Sequence, residues 1–105
     1  MKFGIHNPSW LFGDPYEMFE GVKHKAQWAE QKGFTWFSVM DHLIQIPGVG
    51  APEEPFMEGW TVLSALAAVT SKIRLGTLVS SVAYRNPAHL AKIAAGVDII
   101  SRGRL

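Results

Sequence analysis

Ile73–Pro87 reads IRLGTLVSSVAYRNP, and it holds a whole structural unit in one run. Ile73, Leu75, Leu78 and Val79 give the branched, apolar character of a strand buried on both faces of a parallel sheet. Ser80 and Ser81 follow, small hydroxyl residues placed where such a strand hands over to a loop. Asn86-Pro87 closes the run. Asn is a good helix cap, and Pro suits the first helical position because its missing N–H would be unpaired there anyway. The rest of the chain repeats this order of strand, polar loop and helix start.

Upstream, Phe3–His6 is a short strand stopped by Asn7-Pro8, and Ser9–Gly13 is a loop carrying Trp10 and Phe12. Asp14-Pro15-Tyr16-Glu17 predicts a helix start, with Asp as the cap and Glu placed to reach back to it. Met18, Phe19, Val22, Ala26 and Ala29 share one side of the helix that follows, and Gly33 is a natural stop. Lys25 lies on that apolar side and must reach outward along its stem. Phe34–Met40 is the second strand, with Asp41-His42 at its C-terminal end. Leu43–Met57 is a long loop rich in Pro and Gly, of a length that compact domains keep for function or mobility. Gly59–Thr70 is a second helix presenting Trp60, Leu63, Leu66, Ala67 and Thr70 on one side. Downstream, Pro87 to about Ile100 is a third helix with Leu90, Ile93, Ala94 and Val97 inward. Ser101-Arg102-Gly103 ends it, and Arg104-Leu105 begins a fourth strand.

The order β-α-β-α-β-α is that of a parallel sheet with right-handed crossovers. A closed barrel needs eight such units and typically about 250 residues. Three units do not close one, so the 105 residues are expected to be the first part of something larger, stopping as a fourth strand begins. An open three-stranded sheet leaves two exposed edges. Association as a homo-oligomer, by dimerising or swapping, or with the missing remainder supplied elsewhere, is the expected remedy.

Composition narrows the function. Ten basic and nine acidic residues give a net charge of +1 with no basic patch, which excludes a nucleic-acid footprint. No apolar run is long enough to cross a membrane, and the N-terminus lacks a signal-peptide core. Cys is absent, which removes disulfides, thiol catalysis and Cys-based zinc sites and agrees with a cytoplasmic setting.

Ligand-facing groups of parallel α/β folds gather at the C-terminal ends of the strands. Here those ends carry His6-Asn7, Asp41-His42 and Leu78–Ser81. His42 is the leading candidate for acid–base work, because imidazole changes charge near neutral pH. Asp41 could orient it or accept a hydrogen bond from a ligand; the alternative is that the pair merely ends a strand. His6 either lines the pocket mouth or is a hydrogen-bonded structural residue. His24 belongs to a solvated face, and His89 to the first turn of the third helix. Tyr84-Arg85 could hold an anionic tail, the alternative being a surface Arg packed over Tyr. Trp10 is a candidate to stack on a ligand, since its loop follows the first strand on the same face. Gly48-Val49-Gly50 fits no phosphate-binding fingerprint and reads as loop flexibility. A metal-dependent hydrolase would need clustered His and carboxylate ligands, for which only His6, Asp41 and His42 offer themselves.

The strings VMDHLIQIPGVGAPEEP (Val39–Pro55), SKIRLGTLVSSVAYRNPAHLAKIA (Ser71–Ala94) and SRGRL (Ser101–Leu105) resemble the luciferase-like oxidoreductases, flavin or deazaflavin enzymes built as (β/α)8 TIM barrels. The first is closest to a subgroup described as probable coenzyme F420-dependent oxidoreductases. The resemblance runs from end to end of the chain, so residues 1–105 would be the N-terminal portion of one such domain. It implies hydride transfer between coenzyme F420 and a small organic substrate, or an FMN-dependent monooxygenase. A non-catalytic barrel fragment that self-associates is the reading from another class. The resemblance also implies His42 as the catalytic residue and Asp41 as a cofactor contact. It places a non-proline cis peptide at Leu78-Val79, bracing the ring, with Thr77 and Ser81 as nearby polar contacts and no metal.

Overall fold

A computed structural model describes residues 1–10 and 13–105, so Phe12 of the first loop lies outside the described residues. Three short strands, β1 (Gly4–Asn7), β2 (Trp36–Val39) and β3 (Arg74–Thr77), alternate with three helices, α1 (Met18–Gln31), α2 (Gly59–Val69) and α3 (Pro87–Ser101). The strands form one parallel sheet in the order β1-β2-β3. Gly4 pairs with Trp36 and Trp36 with Arg74, and the ladder ends at Asn7, Val39 and Thr77. Those three residues define one rim of the sheet. The fold class expected from the sequence is the one observed.

The helices pack side by side in chain order, α1 on α2 and α2 on α3. A single core lies between them and the sheet. Phe37, Val39, Ile73 and Leu75 come from the strand segments, Val22, Ala26 and Ala29 from α1, Leu63, Leu66 and Ala67 from α2, and Val97 from α3. The small residues Ala26 and Ala29 of α1 are fully buried in this core, as expected of interiors packed without voids. Asp14 caps as expected, its Oδ1 accepting the Tyr16 N–H at 2.9 Å. Pro15–Glu17 forms a 3-10 turn before the α-helix begins at Met18. Gly33 ends α1 with φ +82°, a conformation that costs glycine little. Lys25 does reach along its stem, donating to Asn7 Oδ1 at 3.1 Å.

Two expectations fail. Leu78 and Val79 are not buried: they are 44% and 66% exposed, because the ladder stops at Thr77 and the chain leaves the sheet there. Trp10 is not available for stacking. It is 1% exposed and packs edge-on against Phe56, ring centroids 5.5 Å apart, which joins the loop after β1 to the loop after β2.

Two charged side chains act as fasteners at the opposite rim, where helices turn back into strands. The Glu30 carboxylate of α1 accepts the backbone N–H groups of Ser71, Lys72 and Ile73, at 2.9, 2.6 and 2.9 Å. It thereby ties α1 to the entry of β3. Burial pushes the Glu30 carboxyl up, but these hydrogen bonds and that of Ser71 Oγ outweigh it, so it lies below its ordinary value. Glu30→Ala should cost about 1–2 kcal/mol by thermal or urea unfolding, the exposure of the site trimming a larger charge-assisted value. Glu30→Gln should cost less, keeping one acceptor.

Arg104 is the second fastener. Its Nε donates to Ser101 O at 2.7 Å, Nη1 to Thr70 Oγ1 and Ile73 O at 2.9 Å each, and Nη2 to Ala67 O at 2.8 Å and Thr70 O at 3.0 Å. One guanidinium thus satisfies the carbonyls left open at the C-terminal end of α2, where positive charge is also favoured by the helix dipole. Arg104 also carries the next step of the sheet: its carbonyl accepts the Leu75 N–H at 2.8 Å, on the edge of β3 away from β2. That is where the sequence predicts a fourth strand to begin.

Candidate functional site

The rim formed by Asn7, Val39 and Thr77 collects the residues singled out from the sequence. Val39 and Met40 are fully buried, and the chain emerges at Asp41-His42. Gly59 is what brings α2 against this point. A Cβ there would lie 2.7 Å from Met40 O and 3.0 Å from Asp41 Oδ1, so only glycine lets the helix start so close to the strand end.

Asp41 is buried, with 1% of its side chain exposed, and both its oxygens are taken by Arg85. Nη1 donates to Oδ2 at 2.6 Å and Nη2 to Oδ1 at 2.7 Å, the two-pronged geometry in which guanidinium matches carboxylate best. Arg85 Nη2 also pairs with Glu58 Oε1. The other Glu58 oxygen caps α2, accepting the Thr61 N–H at 2.6 Å. One arginine on the loop after β3 therefore joins the end of β2 to the start of α2. The Asp41 hydrogen bonds raise the Arg85 guanidinium above its already high ordinary value, burial opposes this, and Glu58 adds to it. Glu58 is pushed up by burial but brought below its ordinary value by the Thr61 bonds and Arg85. Neither alternative drawn from the sequence for Arg85 describes it: it is neither an open anion receptor nor a surface residue packed over Tyr84.

His42 is half-buried and makes no hydrogen bond to any described residue, so both ring nitrogens remain to be used. Beyond β3, the Leu78-Val79 peptide is cis, as the resemblance implied. Thr77 Oγ1 lies 2.9 Å from Ser80 Oγ, and the Trp60 indole N–H donates to the same Ser80 hydroxyl at 2.8 Å. This pins to α2 the segment Leu78–Ser80, which bulges out of the sheet beyond the paired residues. Ser81 Oγ accepts the Ala83 N–H at 3.2 Å and shapes the turn that follows. Exposed apolar side chains adjoin these groups in the chain: Leu78 and Val79 after Thr77, and Leu43 at 66% and Ile44 at 58% after His42. The long loop is not loose throughout. Gln45 is buried, its Oε1 accepting the Ile46 N–H, and Phe56 is held by Trp10.

His6 resolves toward its structural alternative, with Nδ1 3.0 Å from Ser38 Oγ. Burial holds its imidazole below 6.5. The folded state thus favours neutral His6, and the stability this confers is lost as the pH falls from 6.5 through the lowered folded value. Melting temperature should fall on acidification below the ordinary histidine value of 6.5, and His6→Gln, which keeps a polar partner for Ser38, should flatten that segment of the profile. The further fall below about pH 4.5, from Glu30 and Glu58, should persist in that variant. His24 and His89 are exposed.

A cavity of about 230 Å3 lined by Ala67, Thr70, Ile100, Ser101 and Arg104 lies at the opposite rim, among the helix C-termini, and belongs to the fastening just described. Among the described residues no three His, Asp or Glu side chains gather as metal ligands. Sequence reasoning missed Glu58, Ser80 and Trp60 as supports of the site. Glu58 directly precedes the apolar run of α2, where a capping residue is expected, and that was the one available signal.

Residues 1–105 match the family model described as luciferase-like monooxygenase over their whole length. The chain is 36% identical over 107 residues to the pyrimidine monooxygenase RutA of Caulobacter vibrioides, covering 95% of this chain and 29% of that protein. An uncharacterised protein of Mycobacterium tuberculosis is 35% identical over 94 residues, covering 76% of this chain and 33% of its own length. Among solved structures, monooxygenase RslO1 of Streptomyces bottropensis superposes with a TM-score of 0.77 at 32% identity, over 100% of this chain and 31% of that one. The coenzyme F420-dependent tetrahydromethanopterin reductase of Methanopyrus kandleri superposes with a TM-score of 0.73 at 29% identity, over 98% and 25%. The FMN-bound oxygenating constituent of 3,6-diketocamphane monooxygenase of Pseudomonas putida shares the fold alone, with a TM-score of 0.78 at 20% identity. The chain thus spans about a third or less of each of these proteins. With residues 1–105 matched throughout by that family model, the chain belongs to the luciferase-like monooxygenase family.

Proposed function

We propose that this rim is the ring-facing part of a deazaflavin site, and that the chain contributes to hydride transfer between coenzyme F420 and a small organic substrate. The observation that carries the proposal is the exposure of Leu78 and Val79 at the same rim as His42, Thr77 and Ser81, the rim where parallel α/β folds collect ligand groups. A flat tricyclic ring has apolar faces and a polar edge. Leu78 and Val79 supply an apolar support for one face; His42, Thr77 and Ser81 supply hydrogen-bonding groups for the edge. When bound, the deazaflavin supplies the hydride. His42 gives a proton from a ring nitrogen, or holds charge on the reduced ring, and Leu43 and Ile44 exclude water. The F420-dependent reductase of Methanopyrus kandleri, at 29% identity, supports this choice of cofactor.

The second reading is FMN with monooxygenase chemistry, which is favoured by the likeness to RutA and to RslO1, both named monooxygenases. Titration with oxidised F420 and with FMN separates the two, read by quenching of Trp fluorescence. Trp60 bonds to Ser80, two residues beyond Leu78, so it reports on ring occupancy. Saturable binding of F420 alone supports the proposal and of FMN alone the second reading. Binding of neither by a folded sample overturns both.

A further inference from the structure

Three segments distant in sequence meet at Arg85, and none of them is anchored there by apolar packing alone. Asp41 ends β2 and directly precedes His42, Glu58 caps α2, and Arg85 itself closes the loop that begins with the Leu78-Val79 bulge. We propose that Arg85 is the positioning residue of the ring site: by gripping Asp41 with two hydrogen bonds and Glu58 with a third contact, it fixes His42 and the bulge in one mutual geometry. The proposal rests on the reading of this rim as the ring site. It assigns Asp41 a role through Arg85, in place of direct contact between its carboxylate and the cofactor.

The chemistry favours a fixed arrangement. Arg85 is 12% exposed and Asp41 1%, so the pair is shielded from water, and a planar guanidinium holds a carboxylate in one plane where an ammonium would let it rotate. His42 is joined to Asp41 by one peptide bond and has no hydrogen bond of its own among the described residues. What orients its backbone is therefore the residue before it. On the other side, four residues separate the end of the ladder-free bulge at Ser80 from Arg85, and Ser80 is itself tied to Trp60 of α2. Glu58 caps the first turn of α2 and Trp60 belongs to it, so Arg85 and Ser80 dock the same loop onto that turn at two points. Two carboxylates against one guanidinium leave the cluster with a surplus negative charge. That charge sits where α2 begins, and the helix N-terminus offsets it.

The test uses Arg85→Lys, which keeps the charge and loses the two-pronged geometry. Arg85→Met would leave the Asp41 carboxylate buried without a partner and endanger the fold itself. Two readouts are taken on samples shown to be folded by circular dichroism. The first is the NMR signals of the histidine rings, with exposed His24 and His89 as internal controls. The second is the dissociation constant for F420 and for FMN. In Arg85→Lys the His42 signals should shift or broaden while those of His24 and His89 stay, and the cofactor that the wild type binds should be held about tenfold more weakly or worse. Asp41→Asn should move the His42 signals in the same way, and the double variant should move them no further. Unchanged His42 signals and an unchanged dissociation constant in Arg85→Lys would overturn the proposal. If the wild type binds neither cofactor, the ring-site reading falls, and the His42 signals alone still decide whether Arg85 positions that residue.

Discussion

If His42 serves the cofactor as proposed, His42→Ala is expected to lower the cofactor-dependent turnover of a full-length relative by about two to four orders of magnitude, the usual contribution of a placed acid or base. The fold should hardly notice. His42 is half-buried and bonds to no described residue, so its removal leaves no orphaned partner and opens little of the core. The melting temperature should move by less than about 4 °C, the shift that roughly 1 kcal/mol produces in a small domain. A second readout isolates the ring. If His42 holds charge on the reduced cofactor, the variant should weaken binding of the reduced form more than of the oxidised form. Equal losses of fold and activity would instead make His42 a structural residue. Equal weakening of both redox forms would make it a contact without a part in the chemistry.

Arg104→Ala should be the most damaging single change to the fold, costing about 3–4 kcal/mol in urea unfolding, near the upper end for point variants. Five hydrogen bonds leave with the guanidinium, and four of their acceptors are backbone carbonyls of Ser101, Ile73, Ala67 and Thr70. Hydrogen bonds to charged groups are individually worth about 1.5–3 kcal/mol, but they are not additive, and water can enter part of the site. Arg104→Lys should recover less than half of the loss, because one ammonium cannot reach acceptors on two helices and a strand together. A melting temperature within about 4 °C of the wild type in Arg104→Ala would show that water replaces the guanidinium at little cost.

The alternation of elements was legible because its punctuation is chemical. Asp14-Pro15, Gly33 and Asn86-Pro87 each act through a local backbone requirement, and each does in the structure what its residue type demands. Burial was less legible where an apolar run outlasts its ladder. Nothing local in Leu78-Val79 says that pairing has ended at Thr77, so the run reads as one continuous strand. Trp10 was misread because its partner, Phe56, lies in a different loop. The Arg85 and Arg104 clusters were invisible for a related reason. Arg85 is defined by two carboxylates that the fold brings in from elsewhere, and most acceptors of Arg104 are carbonyls, which every residue has. The cis peptide came from family likeness and from no property of the two residues themselves. Side-chain patterns report which face is apolar; they are silent on which backbone groups a long cation will find.

The spatial order of the strands repeats their order in the chain, and this bears on how the molecule is made. During synthesis β2 emerges to find β1 already present, and β3 finds β2. None of these three strands has to wait for a later one of the three or insert between two that have already paired. Assembly can therefore proceed from one edge in the direction of translation, as stepwise growth on a standing template. Arg104 follows all three strands in the chain, and it closes the α2–β3 junction only after both have formed. The residue that secures the third unit is thus also a checkpoint, engaging only when the unit before it is complete.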